Sequence, residues 1–137
     1  MIDLKYADEA IALQLSGVSA YPALSRAAAL EMHRQVGDLV CDAQGVAVRG
    51  LIVAHLLLPG GLAGTPDIWQ FIREQLSAQT WINLPMYAPA FRAAEYPPLE
   101  RELTRAEYHA ALRLGQQLGL TSLARYTMVD EAEMEPL

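Results

Sequence analysis

The sequence predicts an α/β fold with mainly parallel strands, and the stretch from Gly50 to Leu76 provides three observations for that prediction. Residues 51–58 are an apolar run broken only by His55. Its length suits a strand, and its continuity is typical of a strand covered on both faces. The sequence Pro-Gly-Gly at 59–61 ends the run with a turn, and an amphipathic helix follows. Because parallel strands are joined by crossovers, we expect further strand–helix units on both sides.

The helix of this unit is predicted from its start signals and from its apolar spacing. Thr65 is expected to cap it, Pro66 to occupy its first position, and Asp67 to complement the positive end of its dipole. Apolar residues then recur at intervals of three and four, as Ile68, Phe71, Ile72 and Leu76. That stripe predicts a helix packed against the sheet.

The elements before this unit are predicted to be a strand, two helices and a small hairpin, located at 2–6, 8–15, 22–36 and 38–49. The strand alternates, with Asp3 and Lys5 on the side opposite its apolar residues. The longer helix is expected to bury a stripe made of Leu24, Ala28, Met32 and Val36.

A third strand is predicted at 80–84, followed by a long proline-rich loop at 85–103. Thr104 and Glu107 have the spacing of a capping box that opens a final helix. The buried face of that helix is predicted to be Tyr108, Ala111, Leu112, Gly115 and Leu118.

Residues 121–129 are predicted either to add a last strand or to wrap over the sheet, and the acidic tail at 130–137 is expected to fray. We expect residues 1–137 to form one domain. Met1 is followed at once by a predicted strand, so we expect the chain to begin inside a larger fold.

The composition excludes several classes of function. A net charge of −6 argues against nucleic acid and anionic membranes as partners. The single cysteine, Cys41, excludes a disulfide framework and any cysteine-bound metal cluster held by this chain alone. A reducing cytoplasm is the expected setting, and no signal peptide or membrane-spanning stretch is predicted. A hydrophobic fraction of 53% indicates much burial or a surface meant to be covered.

Asp3 and Lys5 are the most informative polar pair. On one face of a strand in a covered sheet or barrel, such charges line a ligand site near the carboxyl ends of the strands. An ammonium can hold a carboxylate, and a carboxylate can bind a hydroxyl or an amine. The alternative interpretation is an edge strand with one solvated face and a weak surface ion pair.

Other polar residues give weaker signals. His55 is expected to be a core histidine bonded to a carbonyl, and no spacing links it to His33 or His109 in a metal or catalytic motif. Asn83 and Tyr87 follow the third strand, where parallel folds bind ligands. Tyr87 could equally pack inside the proline loop. The glycines that follow residue 59 match no phosphate-binding pattern and are interpreted as a structural turn.

Several motifs together resemble a known family. They are DLKY, LSGVSAYP, RQVGDLV, RGLIVAHLLLPGGLAGT, AEYPPL and LTRAEYHAAL, and they extend from residue 2 to about residue 120. They are similar to the C-terminal half of radical S-adenosylmethionine proteins, in particular the iron–sulfur proteins similar to the pyruvate formate-lyase activating enzyme.

The resemblance implies a partial (β/α) barrel, or half-barrel, with S-adenosylmethionine bound at the carboxyl ends of its strands. Asp3 and Lys5 match the family's D-x-K strand, which contacts the methionine moiety. Asn83 and Tyr87 match the region where the third strand contributes cofactor contacts. Ala54 stands where many relatives carry an arginine, which puts one carboxylate contact in doubt.

The family also holds a 4Fe–4S cluster with CxxxCxxC, and this sequence has no such ligands. The resemblance therefore implies the C-terminal portion of such a protein, without catalytic or metal-binding residues of its own. Its expected partner is the missing cluster-binding half, or a second copy across the open sheet edges. The alternative function is a non-catalytic interaction module that self-associates through those edges.

Overall fold

The chain forms a parallel sheet with three helices packed against one face, in a computed structural model that describes residues 1–124. The strands are β1 (Ile2–Asp3), β2 (Val40–Cys41), β3 (Ala47–Arg49), β4 (Ile52–Ala54), β5 (Trp81–Asn83) and β6 (Leu123–Ala124). The helices are α1 (Glu9–Ser16), α2 (Tyr21–Val36), α3 (Thr65–Phe71) and α4 (Arg105–Gln117). A π-helical turn, Ile72–Leu76, continues α3, and short 3₁₀ turns occupy Pro59–Gly61 and Ala93–Glu95.

The sheet has four strands in the order β1-β4-β5-β6, and each neighbouring pair is parallel. β2 and β3 form a separate antiparallel hairpin inserted between α2 and β4. The α/β fold with mainly parallel strands and a small hairpin is therefore confirmed. Because the strands follow one another in chain order and crossovers are right-handed, the connecting helices all fall on the same side of the sheet.

The main core lies on this helix-covered face. Val53 and Ile82 are in register on β4 and β5, fully buried, and packed with residues from α2, α3 and α4. On the opposite face Ile52 is only partly buried, and its register partner Trp81 is 39% exposed. The prediction that the apolar strand is covered on both faces is confirmed only in part, because Ile52 is partly exposed whereas Ala54, on the same face, is buried.

The predicted buried stripe of α2 is wrong at two of its four positions. Met32 and Val36 pack against the core, but Leu24 is 64% exposed and Ala28 is also exposed. Ala29 is fully buried instead. The alanine-rich middle of α2 offers apolar residues on several faces, so contacts with the sheet, and not periodicity, select the buried one.

The start of α3 differs from the prediction in its capping residue. Gly64, with φ of +66°, occupies the N-cap position, and no side chain caps the helix. The hydroxyl of Thr65 instead contacts His55 Nε2 at 2.9 Å. Trp69, which the predicted stripe omitted, is fully buried and donates from Nε1 to the Ala111 carbonyl at 2.9 Å.

The capping box of α4 is confirmed. Thr104 Oγ1 accepts from the Glu107 N–H, and the Glu107 carboxylate accepts from the Thr104 N–H. Glu107 also accepts from the Gly60 N–H at 2.8 Å, which ties the start of α4 to the turn after β4. The predicted buried face is confirmed at Tyr108, Ala111, Leu112 and Gly115.

The last segment adds a strand, since β6 pairs in parallel with β5. The remainder of the predicted segment 121–129 and the acidic tail 130–137 lie outside the described residues, which end at 124. Within residues 1–124, no helix combines the length and apolar character needed to cross a membrane.

Candidate functional site

Three residues form a lateral row at the carboxyl end of the parallel sheet. Asp3 on β1 is in register with Ala54 on β4, and Ala54 is in register with Asn83 on β5. Residues in register point to the same face, so this strand-end row lies on the face that no helix covers. Asp3 and Asn83 are exposed, and the small side chain of Ala54 lies between them. With strands spaced about 4.8 Å apart, the backbones of Asp3 and Asn83 are about 10 Å apart.

Lys5 joins the strand-end row through Asp3. Its Nζ lies 3.5 Å from Asp3 Oδ2, and the two side chains are 42% and 49% exposed. Such a half-exposed pair contributes about 0–1 kcal/mol to stability, so the stability of the fold does not depend on it. Both charges are open to a ligand. The same geometry also agrees with the weak surface ion pair considered as the alternative interpretation.

Tyr21, the first residue of α2, holds the backbone beneath this pair. Its hydroxyl donates to the Asp3 carbonyl at 2.8 Å and accepts from the Lys5 N–H at 3.3 Å. Burial raises the pKa of the Tyr21 phenol, so the hydroxyl keeps its proton at neutral pH and can donate. No local pattern predicts this role of Tyr21, because the contact joins residues separated by a whole helix.

Tyr87 lies apart from the strand-end row, within the packing of the proline loop. Its hydroxyl donates to the Leu99 carbonyl at 2.7 Å, and burial raises the pKa of its phenol. It belongs to a second apolar cluster beyond the carboxyl ends of the strands. That cluster is built on Leu58, Ala63 and Leu99, with Tyr6, Leu15, Leu56, Leu62, Tyr87, Ala93 and Tyr96 packed against them.

His55 is a structural residue, as predicted. Leu4 O can only accept, so Nδ1 carries the proton and donates to it at 2.5 Å, while Nε2 accepts from the Thr65 hydroxyl. Burial lowers the pKa of His55 to about 4, so the imidazole is neutral at physiological pH. Its ring also packs edge-to-face on Trp69, with centroids 4.9 Å apart.

Within residues 1–124, no metal-binding group accompanies the row. Across residues 1–124, no three side chains of His, Cys, Asp or Glu are grouped so that they could hold a metal ion. Cys41 is exposed on the hairpin. An open depression of about 340 Å³ lies on the helix side of the molecule. It is lined by Ala7, Arg26, Asp67, Gln70, Phe71, Glu74 and Gln75 and includes no residue of the strand-end row.

Comparison with known proteins gives one relative without a stated function. The chain is 34% identical over 71 residues to the uncharacterized protein MJ0674 of Methanocaldococcus jannaschii. The match covers 51% of this chain and 21% of MJ0674, so the matched part spans about a fifth of that relative's length. No protein-family profile matches the chain, and no solved structure matches it.

Proposed function

We propose that this chain is the C-terminal portion of a radical S-adenosylmethionine iron–sulfur protein similar to the pyruvate formate-lyase activating enzymes. In this proposal it contributes one wall of the cofactor pocket. The observation that carries the proposal is the strand-end row, which presents Asp3, Lys5 and Asn83 together on the uncovered face at the carboxyl end of a parallel sheet. Parallel α/β folds bind their ligands at that end.

The sheet, in this proposal, is an arc of a (β/α) barrel whose interior is the uncovered face. Sequential strand order with α2, α3 and α4 packed on one face supports it, because a doubly wound sheet would reverse its strand order and carry helices on both faces. Barrel interiors are filled by inward-pointing side chains of the strands. Ile52 and Trp81, which are in register on adjacent strands, would point into that interior, two residues before the strand-end row.

The residues of the row suit the polar groups of the cofactor's methionine and ribose moieties. The Lys5 ammonium would hold the carboxylate, the Asp3 carboxylate would accept from the amino group, and the Asn83 amide would bond a ribose hydroxyl. Ala54 supplies no charge where an arginine would add a second contact, which lowers the expected affinity. The Tyr87 hydroxyl is bound to the Leu99 carbonyl, so in this proposal Tyr87 supplies no hydrogen bond to the cofactor.

The side chains of this chain do not suit a 4Fe–4S cluster. A 4Fe–4S cluster of this kind needs three thiolates, and the sequence has one cysteine, exposed on the hairpin. No radical step is therefore assigned to these residues. The iron–sulfur cluster would come from the missing N-terminal half, on the same or on a separate cytoplasmic polypeptide, which carries CxxxCxxC and covers the open face.

Calorimetry with S-adenosylmethionine tests the proposal on the chain alone. Because the chain supplies one wall, we expect weak binding, with a Kd of about 1 mM or somewhat below. Lys5→Ala should weaken binding at least about ten-fold through loss of the charge-assisted bond. Arg113→Ala, which removes an exposed cation of α4 on the other side of the sheet, should leave it unchanged.

If Lys5→Ala and Arg113→Ala weaken binding equally, binding depends on overall charge and not on the site. That result would contradict the proposal. Coding DNA upstream of Met1 provides an independent observation. A continuous reading frame that encodes CxxxCxxC would support the proposed partner half as part of the same polypeptide.

A further inference from the structure

β1 is an edge strand with one paired side and one free side. On the paired side Leu4 donates its N–H to the Ala54 carbonyl at 2.8 Å. Successive residues of a strand direct their backbone groups to alternate sides, so the Asp3 carbonyl and the Lys5 N–H point toward the free edge. Groups of this kind are a template on which another strand can add.

The Tyr21 hydroxyl occupies this template. In a parallel ladder, one residue of an added strand would donate to the Asp3 carbonyl and accept from the Lys5 N–H. The hydroxyl makes both of these bonds, at 2.8 and 3.3 Å. The Tyr21 side chain therefore takes the place of one residue of a neighbouring strand. It blocks strand addition at the Asp3 carbonyl and the Lys5 N–H.

The same edge is complementary to itself. If two copies of β1 pair antiparallel about a two-fold axis at Leu4, Asp3 of each copy lies opposite Lys5 of the other. These residues then exchange both backbone hydrogen bonds and place opposite charges side by side, twice per pair of chains. That pairing needs the Asp3 carbonyl and the Lys5 N–H, the two groups that Tyr21 holds.

We propose that the free edge of β1 is a self-association surface for a second copy of this chain, and that the Tyr21 hydroxyl keeps it closed. Displacing the hydroxyl lets two copies join through an antiparallel β1 pair with Asp3 opposite Lys5. This pairing depends on backbone geometry and charge and not on S-adenosylmethionine, so a failure to bind the cofactor would not contradict it.

Sedimentation velocity on the full chain tests the closure. Tyr21→Phe removes the hydroxyl and should lower the dimer Kd at least about ten-fold relative to the unsubstituted chain. Tyr6→Phe is the matched control, because its ring packs edge-to-face on Tyr21 at 5.5 Å while its hydroxyl contacts Ser16 Oγ and not the strand. A Tyr21→Phe chain that sediments like the unsubstituted protein and the control overturns the proposal.

Charge substitutions in the Tyr21→Phe background test the register. Asp3→Lys places lysines opposite each other and should raise the dimer Kd about ten-fold, and adding Lys5→Asp should restore it. If neither substitution changes the dimer Kd, the proposed pairing is contradicted.

Hydrogen exchange on the unsubstituted chain keeps the test valid if Tyr21→Phe fails to fold. The Lys5 amide should exchange more slowly than the same amide in an unstructured peptide of this sequence. An unprotected Lys5 amide beside a protected Leu4 amide would show that the hydroxyl does not close the edge.

Discussion

The imidazole of His55 donates from Nδ1 to the backbone oxygen of Leu4 at 2.5 Å, and this bond joins the residue after β4 to the residue after β1. The other ring nitrogen accepts from Thr65 at the start of α3. A single buried side chain thus connects two neighbouring strands and the following helix. Both bonds require the neutral imidazole with its proton on Nδ1, so protonation of Nε2 would break the bond that it accepts.

This arrangement predicts a loss of stability in mild acid. The pKa of His55 falls from an ordinary 6.5 to about 4, so between these values the unfolded chain binds more protons than the folded chain. Stability should therefore decrease as the pH falls from about 6.5 to about 4, by about 3 kcal/mol in total. Chemical denaturation across that range measures it. His55→Gln should flatten this part of the profile, whereas His109→Gln, an exposed position on α4, should preserve it.

Glu107 predicts a second effect on stability, centred on the start of α4. Hydrogen bonds from Arg101, Gly60 and Thr104 hold the pKa of this carboxyl well below its usual range. Glu107→Gln removes the charge that strengthens these bonds, and we expect a loss of about 1–2 kcal/mol. Because the folded pKa is lowered, this contribution is fully present at neutral pH and is lost progressively as the pH falls below the ordinary carboxyl pKa of 4.5.

Urea denaturation at pH 7 provides the measurement for Glu107, and Glu102→Gln is the control. Glu102 is exposed, and Arg101 contacts only its backbone carbonyl. Equal stability of the two variants would show that Glu107 does not join the turn to the helix.

The turn after β4 predicts different outcomes for two adjacent glycines. Gly60 and Gly61 both have positive φ, of +68° and +72°. A Cβ on Gly60 would lie 2.6 Å from Pro98 Cγ, whereas a Cβ on Gly61 would meet nothing within 4 Å. Gly61→Ala should cost the backbone strain alone, about 1–2 kcal/mol.

Gly60→Ala should cost that strain and a further ~1–3 kcal/mol, because the proline loop must move away from the turn. Thermal unfolding of the two variants gives the comparison. If Gly61→Ala is the more damaging change, Pro98 does not pack against Gly60.

Local sequence signals predicted the features that depend on neighbouring residues. The capping box of Thr104 and Glu107 needs only four consecutive residues, and the buried face of α4 follows from its period. The chain order of strands and helices likewise identified the parallel sheet. The prediction that His55 is a core histidine bonded to a carbonyl followed from its position in an apolar run.

Features that depend on distant residues could not be predicted. Thr65 looked like a helix cap, but its hydroxyl is taken by His55, ten residues earlier in the chain. Leu24 looked buried because α2 has apolar residues on more than one face. The contact of Tyr21 with β1 has no local signature, and neither has the lateral register that groups Asp3 with Asn83.

The central proposal is that the strand-end row binds S-adenosylmethionine, and Lys5 allows a direct measurement because it is the only lysine in the sequence. Reductive methylation with ¹³C-formaldehyde places a methyl probe on Lys5, with a second only at the chain's amino terminus. In an NMR titration we predict that the Lys5 signal shifts with S-adenosylmethionine, saturates, and fails to shift in the same way with Asp3→Asn. A Lys5 signal that stays unchanged up to about 1 mM cofactor, while the protein remains folded, would contradict the proposal.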